Sequence, residues 1–149
     1  LPVREGLIPT GELKPVEGPP FDFRVPKPIG RDFYADDKDL MLAGGYDHCL
    51  NFTGGETAIP KLRAKVVHKK SGRVMTMYTN QPCVQFYSGN FLTNEKFPFK
   101  GGVAQEIQMA FCLETQHMPD SINHDNFTNV ILNPDEKYDY TTIYTFSVE

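Results

Sequence analysis

Lys61-Leu62-Arg63-Ala64-Lys65-Val66, then Ser71-Gly72, then Arg73–Thr79: this stretch decides the fold class. Leu62, Ala64 and Val66 alternate with Lys61, Arg63 and Lys65, the period of two that sends successive side chains to opposite faces of a strand. Ser71-Gly72 is a turn signal, so the returning run closes a hairpin. Further on, Cys83–Tyr87 reads as a short strand with Gln85 and Tyr87 on one face and Val84 and Phe86 on the other. A long connection follows, from Gly89-Asn90 through Lys100-Gly101-Gly102. Residues 104–115 show the clearest alternation. Ile107, Met109, Phe111 and Leu113 are large and apolar, against Glu106, Gln108, Ala110, Cys112 and Glu114, so the whole run is expected as one strand burying its odd positions. After a turn at Asn133-Pro134-Asp135, residues 138–148 are expected as the last strand, rich in residues of high β-propensity.

Towards the N-terminus the pattern changes. Pro2, Pro9, Pro15, Pro19, Pro20, Pro26 and Pro28 exclude a regular helix and suit short edge strands, turns and extended chain. Leu7, Ile8, Val16, Phe21, Phe23, Val25 and Ile29 lie among them, more apolar surface than a solvated linker carries, so the segment is expected to pack on the rest. Only residues 36–42 invite a helical turn, and no window sustains a 3.6-residue period. Short strands and turn signals without helices point to an all-β sandwich or barrel, expected as a single domain over residues 1–149.

Composition narrows the function classes. At 149 residues with 40% hydrophobic and 23% charged residues the chain can bury a core of its own, and no apolar run approaches the roughly 18 residues of a membrane span. A net charge of −4 without a block of Lys or Arg lacks the footprint of a nucleic-acid binder. Cys49, Cys83 and Cys112 are an odd number without CxxC spacing, which fits neither a disulfide framework nor a thiolate zinc site and suits a reducing, cytoplasmic setting. The sequons at Asn51 and Asn126 are accordingly read as unglycosylated. Because the chain opens on Leu1 rather than Met, further sequence upstream is expected.

Among candidate site residues, Glu114 stands out by its face. If the odd positions of its strand are buried, Glu114 shares the other face with Cys112, Ala110 and Gln108, small or polar neighbours that suit the floor of a cleft. Pattern alone favours the commoner reading, a solvated carboxylate on the outer face of a strand. The polar loop that follows, through His117, Asp120, Ser121 and His124, is at a strand end, where sites tend to be built. Its spacing matches no standard metal site, and no metal is expected. Gly44-Gly45-Tyr46-Asp47-His48 can present hydrogen-bonding groups to a polar ligand, and Gln85 can line a cleft. Triads assembled from Ser121, His124 and Asp125, or from Cys112 and His117, lack a nucleophile motif and are set aside.

Six stretches carry a resemblance. Leu7-Ile8-Pro9-Thr10-Gly11, Pro20-Phe21-Asp22-Phe23-Arg24, Gly44-Gly45-Tyr46-Asp47-His48, Ser71-Gly72-Arg73, Val84-Gln85-Phe86-Tyr87 and Leu113-Glu114-Thr115-Gln116 resemble, in that order, the C-terminal half of the aldose 1-epimerases. Pro119-Asp120, Asn123-His124 and Phe127 continue the match, which covers essentially the whole chain. The resemblance implies a large antiparallel β-sandwich, the mutarotase-like supersandwich, of which this chain is the C-terminal part. It implies cofactor-free interconversion of the α and β anomers of hexoses such as galactose and glucose. In the family a glutamate matching Glu114 takes the proton from the C1 hydroxyl, and the sugar-binding Asp and Gln match Asp47 and Gln85.

The family's acid histidine, with an Asn-Arg pair and a second histidine that hold the sugar, belongs to an N-terminal half outside this sequence. His48, His68, His117 and His124 do not match its motif, so the missing half is itself an expected partner, beside the monosaccharide. Two other readings stay open, a non-catalytic sugar-binding or regulatory relative and a hexose-6-phosphate epimerase. The latter should add basic residues, yet Arg24 and Arg73 are the only arginines inside the matched stretches. A glycoside hydrolase would need a second carboxylate roughly 5 to 9.5 Å from the first, which sequence does not place.

Overall fold

The computed structural model describes residues 1–18, 20–93 and 97–149. Pro19 of the proline-rich segment and residues 94–96 of the long connection lie outside the described residues. In chain order the elements are β1 (Val3–Arg4), β2 (Ile8–Pro9), α1 (Lys38–Ala43), β3 (Asp47–Asn51), β4 (Lys61–His68), β5 (Arg73–Thr79), β6 (Cys83–Tyr87), β7 (Cys112–Gln116) and β8 (Thr142–Val148), with 3-10 turns at Glu5–Leu7, Ile29–Asp32 and Ser121–Asn123. The strands form three sheets, ordered β1-β2, β3-β6-β7 and β4-β5-β8. The class is all-β, as expected, and among the described residues no helix is long and apolar enough to cross a membrane. The chain divides into two compact units, Leu1–Leu50 with Gln85–Glu114, and Asn51–Val84 with Thr115–Glu149.

The first unit is built around Tyr46, which is fully buried and ringed by Phe21, Phe23, Phe33 and Phe86 at centroid distances of 5.7, 5.3, 5.5 and 5.0 Å. Each such pair adds about 0.5–1.5 kcal/mol beyond the area it buries. Burial pushes the Tyr46 phenol up to about 12, and its hydroxyl donates to the Pro20 carbonyl at 3.0 Å. Phe21, Phe23 and Ile29 come from the proline-rich segment, which therefore packs as expected. Lys27 closes that segment, its Nζ 2.7 Å from Asp32 Oδ2 and 4.4 Å from the Phe23 ring centre.

The helical turn read at residues 36–42 is α1. Asp37 caps it by accepting from the Asp39 and Leu40 N–H groups at 2.9 and 3.2 Å, and it presents Leu40 to the core. Gly44, left-handed at φ 64°, ends it, and Gly45, at φ 143°, lies so near Asn90 that a Cβ would stand 2.4 Å from its Oδ1. The pair of glycines thus brings the chain out of the helix tightly enough to drop Tyr46 into the core.

The strand expected over residues 104–115 is a correction: only Cys112–Gln116 forms β7. Gln108 adopts φ 63° and donates from its backbone to Gly89 O at 2.9 Å, while Met109 N–H turns back on Glu106 O at 3.4 Å. A left-handed residue ends an extended run whatever its side-chain pattern. Ile107 and Met109 are consequently 62% and 50% exposed, and the burial expected of the odd positions holds only for Phe111 and Leu113, which pack on the core.

The second unit contains the hairpin read from Lys61, with β4 and β5 antiparallel from Lys61↔Thr79 to His68↔Arg73 and a bulge between Leu62 and Ala64. β5 is central, pairing with β8 from Arg73↔Val148 to Thr79↔Thr142, and buries Val74 and Met77. The last strand begins at Thr142, four residues later than expected. β5 ends opposite Thr142, and beyond it Asn80 takes over: its Oδ1 accepts the Thr141 N–H at 2.8 Å, while Tyr138 OH accepts from Gln81 Nε2 at 3.0 Å. The Asn80 side-chain amide thus satisfies a backbone N–H that a ladder would otherwise pair.

Candidate active site

Alternation on the short strands of the first unit sorts the site from the core. Phe86 of β6 and Leu113 of β7 pack in the Tyr46 cluster, so Gln85, Tyr87, Cys112 and Glu114 turn to the opposite face, joined by Asp47 of β3. β6 is the middle strand, so Gln85 lies between the strand carrying Asp47 and the strand carrying Glu114. Its Nε2 donates to Asp47 Oδ1 at 2.8 Å. Two strand spacings place β3 and β7 about 10 Å apart. The face therefore offers a carboxylate, a carboxamide and a second carboxylate across three adjacent strands.

Glu114 is exposed, and Cys112 lies two residues back on the same face, close enough to feel its charge. Partial burial pushes the Cys112 thiol up; the Glu114 charge and a hydrogen bond with its carboxylate add to this, and the charge of Asp47 adds further. The sequence marks Cys112 only as a small neighbour of Glu114. The structure makes it a reporter of the charge on that carboxylate. The sequence also passes over Phe91, whose ring stacks on Tyr87 at 6.1 Å; the signal available was that Tyr87 shares the face of Gln85.

His48, although next to Asp47 in sequence, belongs to the inner face. It is 2% exposed, its ring lies 4.7 Å from Phe21, and its Nδ1 accepts the Asp47 N–H at 3.0 Å. Burial lowers its basicity, disfavouring the charged imidazolium. In the second unit His117 pairs with Glu56 at 3.3 Å and His124 with Asp120 at 3.3 Å. Ser121 donates to the Met118 carbonyl at 2.6 Å rather than to an imidazole, so the Ser121-His124-Asp125 triad does not form. No group of three or more His, Cys, Asp or Glu side chains that could hold a metal ion occurs among the described residues.

A family model described as aldose 1-epimerase matches residues 1–145. The chain belongs to the aldose 1-epimerase family. Among similar proteins, a galactose mutarotase of Homo sapiens is 45% identical over 148 residues, 99% of this chain and 41% of its own length. A galactose mutarotase of Rattus norvegicus is 43% identical over the same shares, and an aldose 1-epimerase of Escherichia coli (strain K12) is 38% identical over 151 residues, 100% of this chain and 42% of its own. The chain spans about two fifths of the length of these curated relatives. Antiparallel sheets with, among the described residues, a single short α-helix accord with a part of the aldose 1-epimerase sandwich.

Proposed function

We propose that this chain is the C-terminal part of a single aldose 1-epimerase domain, and that it supplies the base and half of the sugar pocket for interconverting the α and β anomers of hexoses such as galactose and glucose in the cytoplasm. The observation that supports this most is the Asp47–Gln85 hydrogen bond on the same strand face as Glu114, in a chain of this family. Asp47 and Gln85 hold the sugar's hydroxyls. Glu114 takes the proton from O1; the O1 electrons form the C1 carbonyl as the C1–O5 bond breaks, and O5 receives a proton from a histidine contributed by chain beyond these residues. Rotation about C1–C2 and the reverse steps return the other anomer. Base and acid acting together need no cofactor, and positioned proton transfer contributes roughly 10²- to 10⁴-fold.

The test follows optical rotation of fresh α-D-galactose with a polypeptide that joins this chain to an N-terminal epimerase half. Glu114→Gln keeps the side chain's shape but not its basicity, and is expected to lower kcat by about 10²-fold or more with KM little changed. Activity within twofold of the parent would remove Glu114 from the reaction. Asp47→Ala is expected to weaken binding and rate together, whereas a non-catalytic relative would bind sugar without speeding anomer exchange.

A further inference from the structure

We propose that Tyr87 and Phe91 form an aromatic platform for the C–H face of the hexose, so that the site reads the sugar's apolar side as well as its hydroxyls; this rests on the hexose reading above. Tyr87 follows Gln85 by two residues on β6 and therefore stands on its face, beside the Asp47–Gln85 pair. Its hydroxyl accepts the Phe91 N–H at 2.8 Å, which fixes the ring in place beside Phe91. Phe91 lies nearly parallel to that ring, at 6.1 Å and 19°, and is itself 59% exposed.

The turn that brings Phe91 back over Tyr87 is built in. Gly89 is left-handed at φ 73°, a Cβ there would stand 2.7 Å from Ala110 O, and its carbonyl accepts the Leu92 N–H at 3.3 Å. Only glycine fits this position, and the turn it makes fixes the second ring.

The occupant follows from chemistry. A pyranose has a hydroxyl rim and two faces of C–H bonds, and Asp47 with Gln85 can grip only the rim. The hydrogens on carbon carry partial positive charge and meet the negative face of an aromatic ring favourably. In galactopyranose the hydrogens at C3, C4 and C5 make one continuous apolar patch, because the axial O4 points to the other side. Two stacked rings next to a hydroxyl-binding pair match that division.

The experiment titrates the polypeptide that joins this chain to an N-terminal epimerase half with methyl β-D-galactopyranoside, which cannot ring-open and so reports binding alone. Saturation-transfer NMR with irradiation of the aromatic protons reads which sugar hydrogens lie over rings. Transfer is expected to be strongest at H3, H4 and H5. Phe91→Ala, at an exposed position, and Tyr87→Leu should each weaken binding about fivefold and remove that preference, while Tyr87→Phe stays within about twofold. Asp47→Ala should abolish binding. If the parent binds, Asp47→Ala does not, and Phe91→Ala binds as the parent with the same transfer pattern, the platform is wrong and the polar pocket stands. If the glycoside does not bind the parent, or binds regardless of Asp47→Ala, the hexose reading falls and the platform with it.

Discussion

The two units reach stability by different routes. The Asn51–Val84 and Thr115–Glu149 unit holds the sheet with the longest strands, β4-β5-β8. Much of its alternating apolar pattern faces outward, with Leu62 57%, Phe146 75% and Val148 75% exposed. Among its described residues the Leu1–Leu50 and Gln85–Glu114 unit has only short strands and one six-residue helix, yet it contains the Tyr46 cluster and all three proposed site residues. Period-two alternation reports a backbone ladder and does not by itself report burial. In this chain burial comes from aromatic side chains on irregular segments folded over short strands, and the site faces away from that core.

The sharpest test of this contrast compares one aromatic in each unit. Tyr46→Ala removes the hub of the aromatic cluster and is expected to cost about 3–5 kcal/mol. Phe146→Ala, at a 75% exposed ladder position, should stay within about 0.5 kcal/mol. Urea unfolding with hydrogen exchange read separately over β5 and β6 measures both. Equal losses would mean that the ladder carries as much packing as the cluster.

Legibility from sequence follows the same divide. The 61–79 hairpin was readable because Lys alternates with apolar residues and Ser71-Gly72 marks the turn; nothing competes with those local signals. The run at 104–115 has a better alternation on paper and fails, because the left-handed Gln108 and its bond to Gly89 are decided by residues distant in sequence. The late start of β8 has the same origin, since the Asn80 side chain that captures Thr141 is 61 residues away. Asp47, Gln85 and Glu114 stood out as candidates by loop and face pattern, and their roles came from family resemblance. Face alternation on their short strands puts Gln85 and Glu114 on the side away from Phe86 and Leu113, but no local pattern could show that β6 lies between β3 and β7.

A second comparison uses glycines. Gly45→Ala puts a Cβ 2.4 Å from Asn90 Oδ1 at a φ of 143°. Asn90 cannot simply withdraw, because it accepts from Ser88 Oγ at 2.7 Å and donates to Tyr46 O at 2.9 Å. A loss of about 2–3 kcal/mol is expected. Gly54→Ala in the other unit has a φ of 83° but no neighbour within 4 Å, so only backbone strain of about 1 kcal/mol applies. Thermal unfolding of the two variants tests this; similar losses would show that φ alone matters and that the approach to Asn90 does not.

The smallest expected effect probes the site face directly, through the thiol beside the proposed base. Cys112 is the exposed cysteine, while Cys49 and Cys83 are buried, so alkylation by iodoacetamide followed by peptide mass mapping reads Cys112. Its thiol is held above its ordinary pKa by partial burial first and by Glu114 second, so at pH 8 little of it is thiolate, the reactive form. Glu114→Gln removes the neighbouring negative charge, which lowers the thiol's pKa and raises the thiolate fraction; the burial contribution remains, so recovery is partial. A thiolate of lower pKa is also a slightly weaker nucleophile, which trims the gain, and the net expectation is a rise of roughly twofold in alkylation rate. Glu114→Asp keeps the charge and should react like the parent. An unchanged or slower rate in Glu114→Gln would mean that the carboxylate does not stand beside Cys112. The arrangement of Asp47, Gln85 and Glu114 on one face would then need redrawing, because Cys112 and Glu114 share their strand and their side of it.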